Sequence, residues 1–293
     1  INKIHPDILY VHGNDTLVGI KYLWNQKKLD YALISDSHML EMASHNPFSK
    51  IFRLFYRHLI TPRIIRNRAT IIRTQDDLYV NKCLGIPISQ APWISYGSDT
   101  MLFHPDENEK KTFRKKHNLS NEDFIIMYAG KLDESKGGLF LANALKNKFN
   151  TDKNVVFIII GNTSGQYGKE VEDIFSKSEN KILRFPTQHY TDLPVFFKST
   201  DLFLFPKQCS LTFFDVQACG IPVISEDNQI NIERCSHNNG IIFKQGNLND
   251  FRDKIQFCIN MDKLKLEQLG KNAYSYIKNE YDYEKKADEY VKE

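Results

Sequence analysis

Short apolar runs alternate with longer helical patterns along most of the chain. The predicted strands are Ile8–His12, Tyr31–Ser35, Thr70–Arg73, Trp93–Ser95, Phe124–Tyr128, Val155–Ile160, Ile182–Phe185, Leu202–Phe205, Pro222–Ser225 and Gly240–Phe243. Most are β-branched or aromatic with little polar alternation, which is typical of parallel strands buried on both faces. The predicted helices include Gly137–Lys148, Lys169–Ser178, Asp192–Ser199, Asp215–Cys219 and Asp250–Ile259. This order predicts an α/β doubly wound architecture.

A polar, charge-dense segment interrupts the alternation at Asp99–Lys116, and it contains Pro105. We predict a linker there, which separates a first domain of residues 1–104 from a second domain of residues 105–275. The tail carries a charged helical pattern with several tyrosines. Residues 276–293 are therefore predicted to close the fold as one or two helices.

Composition excludes several classes of protein. Of the 293 residues, 41% are hydrophobic and 26% are charged, which is the ordinary globular balance. No stretch approaches the roughly 20 uncharged apolar residues that a membrane helix needs. The net charge of +3 is too small to indicate nucleic acid as a partner. The five cysteines lack CxxC spacing, which predicts reduced thiols in a cytoplasmic protein and no zinc site.

A first candidate site lies in the segment FIIMYAGKLDESKGG, where a predicted strand ends at Gly130. Lys131 and Lys136 flank the loop that follows, and a helix is predicted to begin near Ser135. Glycine lets a ligand approach the backbone, and a helix N-terminus offers free N–H groups. Two ammonium groups beside them predict a diphosphate site, although both lysines could equally be solvated loop residues. The GxxxxGK[ST] pattern of a P-loop is absent.

A second candidate site follows the predicted strand that ends at Pro206. The loop Lys207–Thr212 leads into a helix that carries Asp215, and Gly220-Ile221-Pro222 turns the chain into the next strand. A carboxylate in the first helical turn beside a strand end can hold a ribose diol. The simpler alternative is that Asp215 only complements the helix dipole.

Six segments, in order, resemble the group 1 (family four) retaining glycosyltransferases of GT-B fold. They are PDILYVHG, ISYGSDTMLFHP, AGKLDESKG, VVFIIIGN, FDVQACGIPVIS and NIERCSHNNGIIF. The resemblance covers nearly the whole chain. It implies two Rossmann-like domains, with a nucleotide-sugar donor bound by the C-terminal domain in the cleft between them.

The resemblance also implies roles for individual residues. Lys131 stands where the family has Arg, and Lys136 stands at the family Lys, so both would contact the donor diphosphate. Asp215 stands at the second Glu of the E-x7-E motif, which holds the ribose. The backbone of Ser210, Leu211 and Thr212 would lie beside the diphosphate and sugar.

Lys207 departs from the family pattern, because the first Glu of the E-x7-E motif falls on it. That Glu touches the transferred sugar, and an ammonium group cannot replace it directly. The sugar could be held differently, the donor could be unusual, for example a uronic acid, or activity could be impaired.

His38 ends the predicted strand YALISDSH, beside Asp36 and Ser37. In the family, a histidine at this place reaches the transferred sugar or the acceptor. The alternative is an ordinary loop histidine, and His12 is a weaker candidate of the same kind. The family uses neither a metal ion nor another cofactor, and the sequence pattern indicates no cluster of metal ligands.

The segment of residues 50–73 contains seven Lys or Arg residues and no acidic residue. Ile51, Leu54, Phe55, Tyr56 and Leu59 interleave with Arg53 and Arg57 at helical spacing. This basic amphipathic pattern fits an anionic membrane surface, as in membrane-associated relatives. It fits equally well a core helix with a solvated basic face.

Taken together, these features predict a metal-independent, retaining glycosyltransferase that moves a sugar to a glycan or lipid-linked acceptor in surface polysaccharide or glycoconjugate synthesis. Its predicted location is cytoplasmic, with possible peripheral attachment to the inner face of the membrane. The alternative is a non-catalytic GT-B-like protein that binds a nucleotide or a partner; an oxidoreductase is disfavoured because no early strand precedes GxGxxG. Since the chain starts at Ile1 and its first family motif begins at Pro6, we expect the N-terminal domain to be incomplete.

Overall fold

The computed structural model describes residues 4, 6–28, 31–39, 47–75, 77–207 and 209–292. The chain forms two compact units. One consists of residues 1–96 and 286–293, and the other of residues 97–285. The sequence pattern predicts the boundaries at 104/105 and 275/276. The predictions that concern Ile1, Gln208 and Glu293 fall on residues outside the described ranges.

The first unit contains a parallel three-stranded sheet in the order β1-β2-β3. The strands are β1 (Ile8–Val11), β2 (Ala32–Ser37) and β3 (Thr70–Arg73), and the helices are α1 (Leu17–Asn25), α2 (Ser49–Phe55), α3 (Thr61–Asn67) and α4 (Tyr79–Lys82). The predicted strand Trp93–Ser95 is wrong, because Trp93 forms only an isolated bridge to Arg73.

The basic segment of residues 50–73 is helical over most of its length. A π-helical turn, Tyr56–Ile60, joins α2 to α3. One face belongs to the core, where Tyr56, Ile60 and Ile64 are fully buried. Other apolar side chains of the segment are exposed, namely Ile51, Leu54, Phe55, Leu59 and Ile65. A core helix alone therefore does not account for its apolar residues.

The second unit contains a parallel six-stranded sheet in the order β6-β5-β4-β7-β8-β9. The strands are β4 (Phe124–Ala129), β5 (Val155–Ile160), β6 (Lys181–Phe185), β7 (Leu202–Phe205), β8 (Val223–Glu226) and β9 (Gly240–Phe243). After β4, the chain adds β5 and then β6 on one side of β4. It then returns and adds β7, β8 and β9 on the other side. The strand order reverses at β4 and β7, which is the topological switch point of a doubly wound sheet.

Both faces of this sheet are buried, as the uninterrupted apolar runs predict. Ile125 and Met127 pack into one apolar cluster, whereas Ile126 and Tyr128 pack into the other. Successive side chains of a strand point to opposite faces, so a strand covered on both sides must be apolar throughout. The helices around the sheet are α6 (Gly138–Ala144), α7 (Gly165–Ser176), α8 (Leu193–Lys198), α9 (Thr212–Ala218), α10 (Gln229–Arg234) and α11 (Leu248–Ile259).

The segment predicted to be a linker contains a helix, α5 (Glu107–Lys116). The Asp106 carboxylate caps it by accepting from the N–H groups of Asn108 and Glu109. Acidic residues occupy its first turn and basic residues its last, which suits the helix dipole. Phe113 and Arg114 are buried, so the charge density that indicated a linker belongs mostly to the solvated side of a helix.

The tail forms two helices, α12 (Lys263–Glu280) and α13 (Tyr283–Lys292). Within the described ranges, no helix combines the length and apolar character that crossing a bilayer requires.

Candidate functional site

The predicted donor residues follow β4 and β7, the two strands that meet at the switch point. Lys131 and Lys136 lie in the loop after β4, and Lys207 lies in the loop after β7. Open parallel sheets bind ligands at the carboxyl ends of the strands at this point, because the loops there diverge to opposite faces. The topology therefore brings together two segments that are about 75 residues apart in the sequence.

A close contact between glycines fixes the start of the first loop. A Cβ on Gly161 would lie 1.9 Å from the carbonyl oxygen of Gly130, so no other residue fits there. The Gly130 N–H donates to the Ile160 carbonyl at 3.0 Å. Gly130 thus extends the pairing of β4 with β5, and its amide is already engaged within the protein.

The Asp133 carboxylate organises the rest of this loop. It accepts from the Ser135 hydroxyl at 2.7 Å and from the Lys136 N–H at 3.0 Å. These bonds, with that to Ser135 first, hold the pKa of Asp133 below its usual value. The Gly138 N–H donates to the Asp133 carbonyl at 2.9 Å, which completes a turn before α6.

The prediction of free N–H groups at the start of this helix is wrong. The helix begins at Gly138 and not near Ser135, and the N–H groups of Lys136, Gly137, Gly138 and Leu139 all have acceptors within the protein. The ammonium groups of Lys131 and Lys136, in contrast, make no hydrogen bond or ion pair with any residue of the described ranges. The side chains of the two lysines are therefore available to meet an anion here, whereas the N–H groups of residues 136–139 are not.

Lys207 connects the two loops. Its ammonium group donates to the Glu134 carbonyl at 3.0 Å. A Cβ on Gly137 would lie 3.1 Å from the Lys207 Cβ, so the two segments are in close contact. Lys207 thus anchors the loop after β4 instead of reproducing the acidic contact that the family pattern has at this position.

Asp215 lies in the first turn of α9, as predicted, and is mostly buried. Its Oδ1 accepts from the Ser98 hydroxyl at 2.7 Å and from the Tyr190 hydroxyl at 3.3 Å. Burial raises the pKa of the Asp215 carboxyl to about 6, although both hydrogen bonds oppose the rise. Besides its place in the first turn of α9, Asp215 is thus held by two hydroxyl groups from distant parts of the unit.

Arg234 supports the loop before α9, and the sequence analysis missed it. Its Nη1 donates to the Ser210 carbonyl at 3.0 Å, and its guanidinium lies 4.6 Å from the Phe214 ring centre. Burial lowers the pKa of Arg234. The N–H groups of Thr212 and Phe213 also bond to Ser210, so this residue organises the turn into the helix. Arg234 ends a mostly polar helix, QINIER, so no local pattern indicated this contact.

Two cavities of the second unit differ in their relation to these residues. One of about 360 Å³ lies at the carboxyl ends of β5 and β6. It is lined by Gly161, Asn162, Thr163, Glu172, Arg184, Phe185 and Pro186. A larger one of about 860 Å³ lies at the amino ends of β4, β7 and β8, near Phe124, Asp201 and Pro222. Of these two cavities, only the smaller lies at the carboxyl ends of the strands, where the loops that carry Lys131, Lys136 and Lys207 also begin.

In the first unit, Asp36 organises the predicted histidines. Its carboxylate is buried, and Oδ1 accepts from the Gly13 N–H at 2.6 Å while Oδ2 accepts from the Tyr10 hydroxyl at 2.7 Å. His12 Nδ1 lies 2.9 Å from Oδ2, and His38 Nε2 lies 3.0 Å from Oδ1. The structure thus brings both candidate histidines to one carboxylate, so His38 is more than an isolated loop histidine.

His38 is also held from its other side. Its Nδ1 lies 3.0 Å from the Thr74 hydroxyl and contacts the Tyr96 hydroxyl, and the Tyr96 ring stacks on the imidazole. The Thr74 hydroxyl itself donates to the Ser37 carbonyl at 2.9 Å. The carboxyl ends of β1, β2 and β3 therefore fix the imidazole ring in place.

These features can be set against known proteins. The sequence model for glycosyl transferases group 1 matches residues 109–276, more than half of the chain.

The chain belongs to the group 1 glycosyl transferases.

Among curated proteins, this group 1 chain is similar to the capsular polysaccharide biosynthesis glycosyltransferase CapM of Staphylococcus aureus. The two are 26% identical over 198 residues, which is 64% of this chain and 49% of CapM. The chain thus matches about half the length of this curated relative.

Solved structures share the fold. A glycosyltransferase from Rickettsia africae ESF-5 has a TM-score of 0.81 at 16% identity, covering 100% of this chain and 77% of the other. Anabaena Alr3699/HepE in complex with UDP has a TM-score of 0.83 at 17% identity, covering 99% and 79%. The predicted α/β, GT-B class of fold is confirmed.

Proposed function

We propose that this group 1 glycosyl transferase moves a sugar from a nucleotide-sugar donor to a glycan or lipid-linked acceptor, with retention of configuration and without a metal ion. One observation carries the proposal: two lysines, whose ammonium groups make no hydrogen bond or ion pair within the described residues, and a mostly buried carboxylate in the first turn of α9 all follow strands at the carboxyl edge of the second unit's sheet. That combination suits a ligand with a diphosphate at one end of a ribose. Structures of Alr3699/HepE with UDP and with UDP-glucose make a nucleotide sugar the natural ligand to test.

The donor would lie along this edge in a defined order. Lys131 and Lys136 meet the diphosphate, and Asp215 accepts from the ribose hydroxyls through its carboxylate. The cavity beside Phe185 and Pro186 is suited in position to the base, where the backbone of residues 185–187 would select it. Ser210, Leu211 and Thr212 lie before α9 and would form the wall beside the sugar.

In the chemical step an acceptor hydroxyl attacks the anomeric carbon. Its oxygen forms the new bond, the bond from that carbon to the phosphate oxygen breaks, and the hydroxyl proton leaves with the departing nucleoside diphosphate. Negative charge develops on the departing phosphate oxygen, and Lys131 and Lys136 stabilise it. Because the N–H groups of residues 136–139 are engaged, the two side chains, and not the start of α6, supply this stabilisation. Such preorganised charge is commonly the largest contribution to catalysis. His38, oriented by Asp36 and Tyr96, is proposed to contact the transferred sugar or the acceptor.

A nucleotide panel tests the proposal first. We expect one of UDP, GDP, ADP and dTDP to raise the melting temperature clearly more than the others, since a ligand stabilises only the state that binds it. The matching radiolabelled donor should then be hydrolysed or transferred, with the anomeric configuration retained and with EDTA having no effect. Binding without any turnover would instead favour a non-catalytic nucleotide-binding protein, and no response to any nucleotide would contradict both.

The exposed apolar side chains of α2, the π-helical turn and α3 support a second part of the proposal: a cytoplasmic protein held peripherally at an anionic membrane surface. Leu54 is 59% exposed, and the neighbouring Arg57 is also exposed. Apolar groups that enter the lipid boundary beside cations that meet the headgroups are the pattern of an interfacial helix. This surface would keep the enzyme near a lipid-linked acceptor.

Replacing Leu54 and Arg57 together by Gln should weaken binding to anionic vesicles by about tenfold or more, because one apolar contact and one cation are lost. Sedimentation with phosphatidylglycerol vesicles measures this. The matched control replaces the exposed Leu264 and Lys265 of α12 by Gln and should bind like the wild type. Equal sedimentation of all three proteins would contradict the membrane proposal.

A further inference from the structure

Three potential metal ligands converge at the carboxyl ends of β1 and β2. The ring nitrogen His12 Nδ1 lies 3.2 Å from His38 Nε2. Each nitrogen also lies within 3.0 Å of an oxygen of Asp36. Two imidazoles and one carboxylate are a common ligand set for zinc and related ions.

We propose that His12, Asp36 and His38 form a binding site for a divalent transition-metal ion of the zinc type. The spacing of the ligand atoms supports this. Metal–ligand bonds of about 2.0–2.1 Å place neighbouring ligand atoms about 2.8–3.0 Å apart in octahedral geometry and about 3.3–3.4 Å apart in tetrahedral geometry. The observed separations of 2.9 to 3.2 Å need little change to surround one ion.

The Asp36 carboxylate has acceptor capacity left for such an ion. Each oxygen takes one hydrogen bond from a fixed donor, the Gly13 N–H on Oδ1 and the Tyr10 hydroxyl on Oδ2. A carboxylate oxygen offers about two lone-pair directions, so one remains on each oxygen, facing a histidine nitrogen. Gly13 and Tyr10 would then orient the ligand, as hydrogen bonds to metal-bound carboxylates generally do.

The surroundings of His38 accommodate either tautomer. With the proton on Nε2, the ring donates to Asp36 and its Nδ1 can accept from the Tyr96 hydroxyl. With the proton on Nδ1, the ring can donate to the Thr74 hydroxyl oxygen, whose own proton is used by the Ser37 carbonyl. The second tautomer turns the Nε2 lone pair toward the ion. The metal-binding form therefore leaves no polar group of this ring unpaired.

The exposure of the ligands suggests how an ion would enter. The Asp36 side chain is only 3% exposed, whereas those of His38 and His12 are 29% and 74% exposed. An ion would sit on a buried carboxylate with one side open to solvent, which leaves room for water as a further ligand. Imidazole nitrogens favour Zn²⁺, Co²⁺ or Ni²⁺ over Mg²⁺ and Ca²⁺.

Cobalt titration of the untagged, EDTA-treated protein tests the site. We expect one Co²⁺ per chain with visible d–d absorption, displaced by Zn²⁺ but not by Mg²⁺. His12→Asn and His38→Asn should each weaken binding at least about tenfold, a loss that even outer-shell changes can cause. His12 is the cleaner position because its side chain is largely exposed. The control His58→Asn removes another exposed histidine of the same unit and should titrate like the wild type.

Absence of the d–d signal in the wild type, or an unchanged signal in both histidine variants, would overturn the proposal. One consequence rests on the proposed function: an ion on His38 Nε2 would block its contact with sugar or acceptor. Zn²⁺ should then inhibit transfer by the wild type, and EDTA should reverse this. Site-specific Co²⁺ binding without inhibition would leave the metal site intact and count against the role of His38 in transfer.

Discussion

Replacing Lys131 and Lys136 together by Ala is expected to remove most of the nucleoside-diphosphate binding and at least about 100-fold of the transfer rate. A hydrogen bond to a charged group contributes about 1.5–3 kcal/mol, which is roughly 10- to 100-fold per lysine. The loss should be large because the N–H groups of residues 136–139, at the start of α6, are engaged and cannot replace the ammonium groups. Calorimetry with the preferred nucleotide, followed by a transfer assay, measures both effects.

Two further variants serve as comparisons for the lysine substitutions. The double variant Lys146→Ala with Lys148→Ala removes two exposed lysines just beyond α6 and should leave binding unchanged. Lys131→Arg should keep most of the affinity, because a guanidinium retains the charge and adds bidentate geometry. If the variant lacking Lys131 and Lys136 bound nucleotide as tightly as the wild type, the diphosphate would have to lie elsewhere.

Replacing Asp215 by Asn is expected to change stability and binding in opposite directions at neutral pH. The pKa of Asp215 is raised from 3.8 to about 6 in the folded protein, so the folded state holds its proton more tightly than the unfolded state. The stabilisation from this group is present below about pH 4 and is lost as the pH rises through 6. Its full size is up to about 3 kcal/mol.

An amide at position 215 does not titrate, so the variant does not lose this stabilisation as the pH rises. The free energy of unfolding of Asp215→Asn, minus that of the wild type, should therefore rise by up to about 3 kcal/mol between about pH 4 and pH 7. Urea unfolding at a series of pH values measures it. Nucleotide affinity at about pH 7 should fall about tenfold, since a neutral amide is a weaker acceptor for ribose hydroxyls.

The affinity of the wild type should also rise more steeply than that of Asp215→Asn as the pH passes the pKa of about 6, and the nucleotide's own titration cancels in this comparison. The exposed Asp152→Asn serves as the control for the change of charge. Parallel pH profiles for wild type and Asp215→Asn would contradict both the raised pKa and the contact with ribose.

Much of the fold follows from local pattern. Six apolar runs correspond to the six strands of the second unit because parallel strands covered on both faces must be apolar throughout. Errors arise where a segment's surroundings decide its state. Residues 107–116 are helical because Asp106 caps them and two side chains are buried, neither of which charge density reveals. Trp93 is apolar but pairs only with Arg73.

The features of the candidate site also divide into those that local sequence determines and those that tertiary packing determines. The sequence by itself determined the α/β class, the loop that carries Lys131 and Lys136, and the placement of Asp215 in a first helical turn, because these depend on neighbours within a few residues. Only the tertiary structure decided that Lys207 ties one loop to the next, that Asp215 is buried enough to raise its pKa, and that His12 and His38 share Asp36. His12 and Asp36 are 24 positions apart in the sequence, and Asp215 and its partner Ser98 are 117 positions apart. Strand order and packing set such contacts, and no local pattern encodes them.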